Sequence, residues 1–167
     1  MAIKKIVTRC LIFVMSLFFL AFLMANANAY NIPLRVQTDT SCGTTALAMA
    51  LQAKGEYHTQ QFYDECAGRK IGETTKGYQI QKCARTLGFK FDNRLFINQR
   101  YLKSGDIVLY HGYGYGNESD LHYSVIDSID GDAIVLANPW GQYDYYSTDA
   151  FKAVFTNQAL VYRGIAR

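Results

Sequence analysis

From Ala46 to Leu51 every position is apolar, and the polar stretch Gln37–Ser41 leads into this run, with Gly55 closing it. Thr40 and Ser41 are candidate N-caps and the Ala/Leu/Met run is strongly helix-forming, so the pattern predicts a helix starting near Cys42. Apolar residues on nearly all of its sides place that helix at the centre of a core. Two shorter helices are predicted at 59–67 (TQQFYDECA) and 76–87 (KGYQIQKCARTL), the second stopped by Gly88. After Gly88 the pattern turns extended. Phe89–Ile97, Ile107–Tyr110, Tyr123–Ile129, Ala133–Ala137 and Ala159–Arg163 are rich in Val, Ile, Tyr and Phe, and Gly, Asp and Asn separate them. Asp130-Gly131 reads as a hairpin turn. Helices first and strands afterwards predict an α+β domain, with the helices packed on one side of a small antiparallel sheet.

One apolar run stands apart from this scheme. Lys4, Lys5 and Arg9 precede Leu11–Ala25, and Ala27-Asn28-Ala29 follows as a small-x-small cleavage site, so residues 1–29 read as an export signal. The run falls short of the roughly 20 residues a membrane span needs, so no stable anchor is expected after cleavage. The single domain is then 30–167, and the chain is expected in the periplasm or outside the cell. Composition changes with that assignment. The whole chain carries 17 Lys and Arg against 14 Asp and Glu, and the signal takes three basic residues and no acidic ones, leaving the mature part neutral. A neutral chain with no basic stripe argues against nucleic acid as partner.

Three cysteines remain in the mature part: Cys42, Cys66 and Cys83. In an oxidising compartment two can pair and one is left over. Cys66 and Cys83 fall on the two short helices, so a bridge between them, leaving Cys42 free, is one reading; three reduced buried thiols is the other. Cys42 at a helix start sits among unpaired N–H groups at the positive end of the dipole, which favour a thiolate. Gly43 beside it leaves room for a substrate backbone.

His58, His111 and His122 do not stand at metal-ligand spacing, and no cofactor is expected. His122 opens a predicted strand, and Asn138 closes its antiparallel partner just before Pro139. Pairing brings the two together, so that the Asn138 amide can accept the Nδ1–H and turn Nε2 toward a thiol. A helix-start cysteine with such a pair is what nucleophilic thiol catalysis requires. The loop 110–121 (YHGYGYGNESDL) lacks phosphate-cradling spacing. It reads either as a solvated connection or as a groove wall in which Tyr113 and Tyr115, with Tyr143, Tyr145 and Tyr146, bind an extended peptide.

The order Gln37, Cys42-Gly43, His122, Asn138-Pro139 resembles the C39 peptidases, papain-like enzymes that process bacteriocin leaders. ARTLGFK at 84–90, His-Tyr-x-Val-Ile from 122 and NQALVYRG at 157–164 extend the resemblance over most of the mature chain. It implies a papain-like fold, Cys42 as nucleophile, His122 as general base and then acid, and Asn138 as the residue orienting it. It also implies that Gln37, with the Cys42 backbone N–H, stabilises the oxyanion. Two departures stand out: leader processors usually carry aspartate at the Asn138 position, and the Gln37-to-Cys42 gap is one residue tighter than usual. The implied partner is a peptide or an exported protein substrate. The competing readings are an amidase acting on peptidoglycan peptides and a catalytically silent peptide-binding module; the presence of Cys42 favours the enzyme.

Overall fold

The computed structural model describes residues 31–112 and 121–166. The expected export signal, Tyr113 and Tyr115 lie outside the described residues. Helix α1 spans Cys42–Gln52, and all of its residues from Cys42 to Leu51 are buried, as the unbroken apolar run requires. Ser41 occupies its N-cap position without capping it through the side chain. The Ser41 hydroxyl instead accepts from the Thr38 N–H at 3.1 Å and meets Thr45 Oγ1 at 3.2 Å, stabilising the turn that delivers Cys42.

Helix α2 (Gln60–Ala67) starts on Thr59, whose hydroxyl accepts the Phe62 N–H, and ends on Gly68 in the left-handed region. Helix α3 spans Gly77–Thr86. Cys66 and Cys83 are joined by a disulfide between these helices, and Cys42 is free and buried. A bridge over 17 positions restricts the unfolded chain enough to contribute about 3 kcal/mol. Replacing both cysteines by alanine should therefore lower the unfolding free energy by about that amount in a denaturant titration; a loss below about 1 kcal/mol would mean that helix packing alone holds the pair.

The sheet is fully antiparallel. Its strands are β1 (Phe89–Arg94), β2 (Ile107–His111), β3 (Leu121–Asp130), β4 (Ala133–Asn138), β5 (Gln142–Ser147) and β6 (Phe155–Ile165), in the order β1-β6-β2-β3-β4-β5. Strand alternation divides the core between two faces. Ile107, Leu109, Tyr123, Val125 and Leu160 pack with α1, while Val108, Tyr110, Ile126, Leu136 and Val161 form a second cluster with Phe151 and Val154. Those two belong to helix α4 (Thr148–Val154), whose N-cap Ser147 accepts the Ala150 N–H. The sheet is thus covered on both faces rather than the one expected, within the expected α+β class.

Where the elements depart from the sequence pattern, a local cause is visible. β1 stops at Arg94 and not at Ile97, and shortly beyond its end Phe96 is 92% exposed with φ +64°, out of the extended region. β5 (QYDYYS) was not expected as a strand, having neither Val nor Ile; it is a half-exposed edge strand. α4 is seven residues long, too short for a clear period.

Candidate active site

The turn before α1, the start of β3 and the end of β4 converge on one cavity of about 720 Å³. Gln37 and Cys42 line it from the first, His122 and Tyr123 from the second, and Trp140 from just beyond the third. Thr75 and Lys76, ahead of α3, close another side. The Val36–Trp140 bridge and the Gln37 N–H to Pro139 carbonyl hydrogen bond, at 2.6 Å, hold the cysteine turn against the end of β4.

His122 is 5% exposed and fixed on several sides. Trp140 stacks on the ring with centroids 4.3 Å apart and planes at 20°, and Tyr110 meets it edge-on at 5.7 Å. Asn138 Oδ1 lies 2.9 Å from Nε2 and also accepts the Trp140 N–H at 2.9 Å. This reverses the expected assignment of the ring nitrogens. An acceptor on Nε2 makes Nε2 the protonated nitrogen of the neutral ring, leaving Nδ1 as the basic one. Strand pairing brings the two residues to one end of the sheet but does not specify which edge of the ring the amide meets, so sequence carried no signal for it.

Electrostatics at the cysteine also differ from the simple helix-start expectation. Burial pushes the Cys42 thiol up, and the N–H groups of Tyr123, Gly43 and Cys42 itself pull it only part of the way back. Burial likewise lowers His122, while the Asn138 hydrogen bond and the Asp144 carboxylate oppose that shift. Both shifts favour the neutral thiol and neutral imidazole.

Gln37 lines the cavity, but its Nε2 donates to the Asp39 carbonyl at 3.1 Å and its Oε1 is buried without a hydrogen-bond partner. Gly43 is not part of the cavity wall. A Cβ there would lie 3.0 Å from Ile80 Cδ1, 3.0 Å from Thr75 Cβ and 3.1 Å from Tyr123 Cδ2, so the glycine makes space for packing under Cys42 rather than for substrate. Gly43→Val should therefore cost about 1–3 kcal/mol by overpacking, read as a fall in melting temperature. An unchanged melting temperature would contradict this role. Tyr143, Tyr145 and Tyr146 line a separate cavity of about 380 Å³, which shares Trp140 with the first.

The sequence reading missed Trp140, Tyr123, Thr75 and Asp144. Only Trp140 left a signal, as the single tryptophan of the chain and a near neighbour of Asn138-Pro139.

The model of the peptidase C39 family matches residues 31–164. The chain belongs to that family. It is accordingly a cysteine peptidase, and its C39 domain takes the papain-like α+β fold of solved relatives. The double glycine motif protease of an AMS/PCAT transporter, solved in complex with a leader peptide, superposes with a TM-score of 0.67 at 17% identity, over 83% of this chain and 96% of that one. The peptidase domain of Streptococcus ComA, a bifunctional ABC transporter of a quorum-sensing pathway, gives 0.65 at 17% identity over 83% and 99%. That of Streptococcus mutans ComA gives 0.57 at 18% identity over 80% and 99%. No curated protein sequence matches the C39 chain.

Proposed function

We propose that this chain is an exported cysteine endopeptidase that cleaves an extended peptide substrate through Cys42, His122 and Asn138. The observation that carries the reading is that Cys42 and His122 line one cavity while Asn138 holds the far edge of the His122 ring. As substrate enters, Nδ1 of His122 takes the thiol proton and Cys42 Sγ forms a bond to the scissile carbonyl carbon. The imidazolium returns that proton to the departing amine, leaving a thioester. Water then attacks the thioester with His122 again as base, and the acid product leaves as the thiol is restored. Backbone N–H groups around Cys42 face the developing oxyanion. Gln37 joins them when its Nε2 leaves the Asp39 carbonyl, a single donor of this kind being worth about 10²–10³ in rate.

A peptide client is supported by the solved relative that carries a leader peptide. Export is supported by the N-terminal pattern of basic residues, apolar run and small-residue site. The Cys66–Cys83 bridge also fits an oxidising compartment.

Because His122 is held below its ordinary value of 6.5, the acid limb of kcat/KM should lie below pH 6.5. A limb above that value would show a different base. The test of the function is incubation of the protein with a peptide containing an internal Gly-Gly and, separately, with purified peptidoglycan, followed by mass spectrometry. New termini in the peptide support the peptidase. Cleavage of wall peptides alone identifies the amidase, and binding without any new terminus identifies a silent module.

A further inference from the structure

Where a carboxylate would complete the triad, this chain carries the neutral Asn138, and a carboxylate stands one residue further back. Asp144, on β5, accepts a 2.5 Å hydrogen bond from Asn138 Nδ2 through Oδ2. Its Oδ1 is held by Gln142 Nε2 at 2.7 Å. An ionised carboxylate accepts and cannot donate, so the Asn138 edge facing Asp144 must be the NH₂. The carboxamide oxygen then faces His122 Nε2 and the Trp140 N–H. The second Asn138 N–H reaches Tyr110 Oη at 3.3 Å, so all the amide's polar atoms are engaged.

We propose that Asp144 is a positioning residue for the peptidase reaction, acting on His122 through Asn138 by fixing the amide's orientation and placing a negative charge behind the imidazolium. The inference rests on His122 being the base. The Trp140 N–H shares the orienting task, and among the described residues hydrogen-bonded to Asn138 the charge comes from Asp144. A hydrogen bond to a charged group is stronger than a neutral one, and it polarises the amide further toward the ring. Among the described residues, the other titratable groups around His122 are Cys42 on α1, Tyr110 on β2, Tyr123 on β3 itself, and Asp39 and Lys76 across the cavity. Cys42, Tyr110 and Tyr123 are neutral while the resting site accepts a proton at His122, and Asp39 and Lys76 are opposite in sign. Asp144 also raises His122 against the lowering caused by burial.

The test is the pH profile of peptide cleavage for Asp144→Asn. The expected result is a kcat lower by roughly ten- to a hundredfold with KM little changed, the scale set by losing one charge-assisted hydrogen bond, and an acid limb moved to lower pH. Adding Asn138→Asp to Asp144→Asn moves the charge onto the ring's own partner and should return the limb toward higher pH and recover part of kcat. A merely structural role gives no such rescue. An Asp144→Asn protein with a normal melting temperature, an unmoved acid limb and full kcat would overturn the proposal. If Asp144→Asn does not fold, Asp144→Ser, which keeps a small polar group, is measured in its place against the same two outcomes, a lowered kcat with a shifted acid limb or full kcat with an unmoved one. Cleavage that survives His122→Ala would instead remove the underlying reading of His122 as base, and so separates the two failures.

Discussion

Cys42→Ala should reduce peptide cleavage by about 10⁴-fold or more while leaving the fold in place. The two halves of that expectation have different causes. Chemically, no other described residue in the cavity offers a thiol, and removing a nucleophile from a unit that works together costs nearly the whole of its catalysis. Structurally, Cys42 is a small residue at the edge of the core, 9% exposed, with the cavity on one side of it. Its loss removes one small atom from the rim of the α1-side core and leaves the disulfide and the second core face untouched, so the stability change should be about 1 kcal/mol or less. Steady-state cleavage and thermal unfolding on the same sample read the two halves. A large fall in melting temperature would make Cys42 a packing residue, and retained turnover would remove it from the chemistry.

Arg69→Met should destabilise the fold by about 3 kcal/mol. The Arg69 side chain is 3% exposed and forks onto Asp64 with Nε at 3.0 Å and Nη2 at 2.9 Å. Asp64 also accepts from Thr44 on α1 at 2.5 Å and from Gln60 at 3.0 Å. Arg69 further donates to the Glu73 carbonyl at 3.2 Å, while Asp39 accepts the Gly72 N–H and Thr40 donates to the Glu73 carbonyl at 2.9 Å. One cation therefore ties α1, α2, the cysteine turn and the segment that leads into the cavity wall. Removing it leaves a largely buried carboxylate without its partner, which costs more than the pair itself contributes. The pH dependence follows from the same contacts. Burial raises the Asp64 carboxyl, but hydrogen bonds from Arg69, Thr44 and Gln60 outweigh it and leave the folded value below the usual one. The stability this carboxylate supplies is then present above the unfolded value of about 3.9 and lost as pH falls through the folded one. Melting temperature against pH should show an acid loss in the wild type that is smaller in Arg69→Met. Equal melting curves for the two proteins at neutral pH would contradict the role.

How far the sequence could be read depended on whether short-range patterns or long-range geometry decided each feature. Helices α1, α2 and α3 were legible because each helix-forming run ends at or shortly before a glycine, Gly55, Gly68 and Gly88. The union of His122 with Asn138 was legible because hairpin pairing fixes which residues meet. The Cys66–Cys83 bridge was one of two open readings, since connectivity depends on how α2 and α3 pack and leaves no local trace. β5 hid because Tyr alternating with polar residues also suits a binding surface, and its tyrosines turn out to line a cavity beside the one holding Cys42. The burial that raises Cys42 and lowers His122 is a property of the assembled core. A helix-start position alone suggested the opposite sign for the thiol. Asp144 was invisible because it acts on its partner through space, from an edge strand not expected at all.

The most direct test of a thiol nucleophile served by His122 uses a peptide that the protein cleaves, remade with a chloromethyl ketone at the scissile position and followed by intact-mass and peptide mapping. The expected result is one adduct per chain, located on Cys42 Sγ and formed far more slowly in His122→Ala. An adduct on any other residue, or a protein that still cleaves the parent peptide after Cys42 is fully modified, would contradict the account.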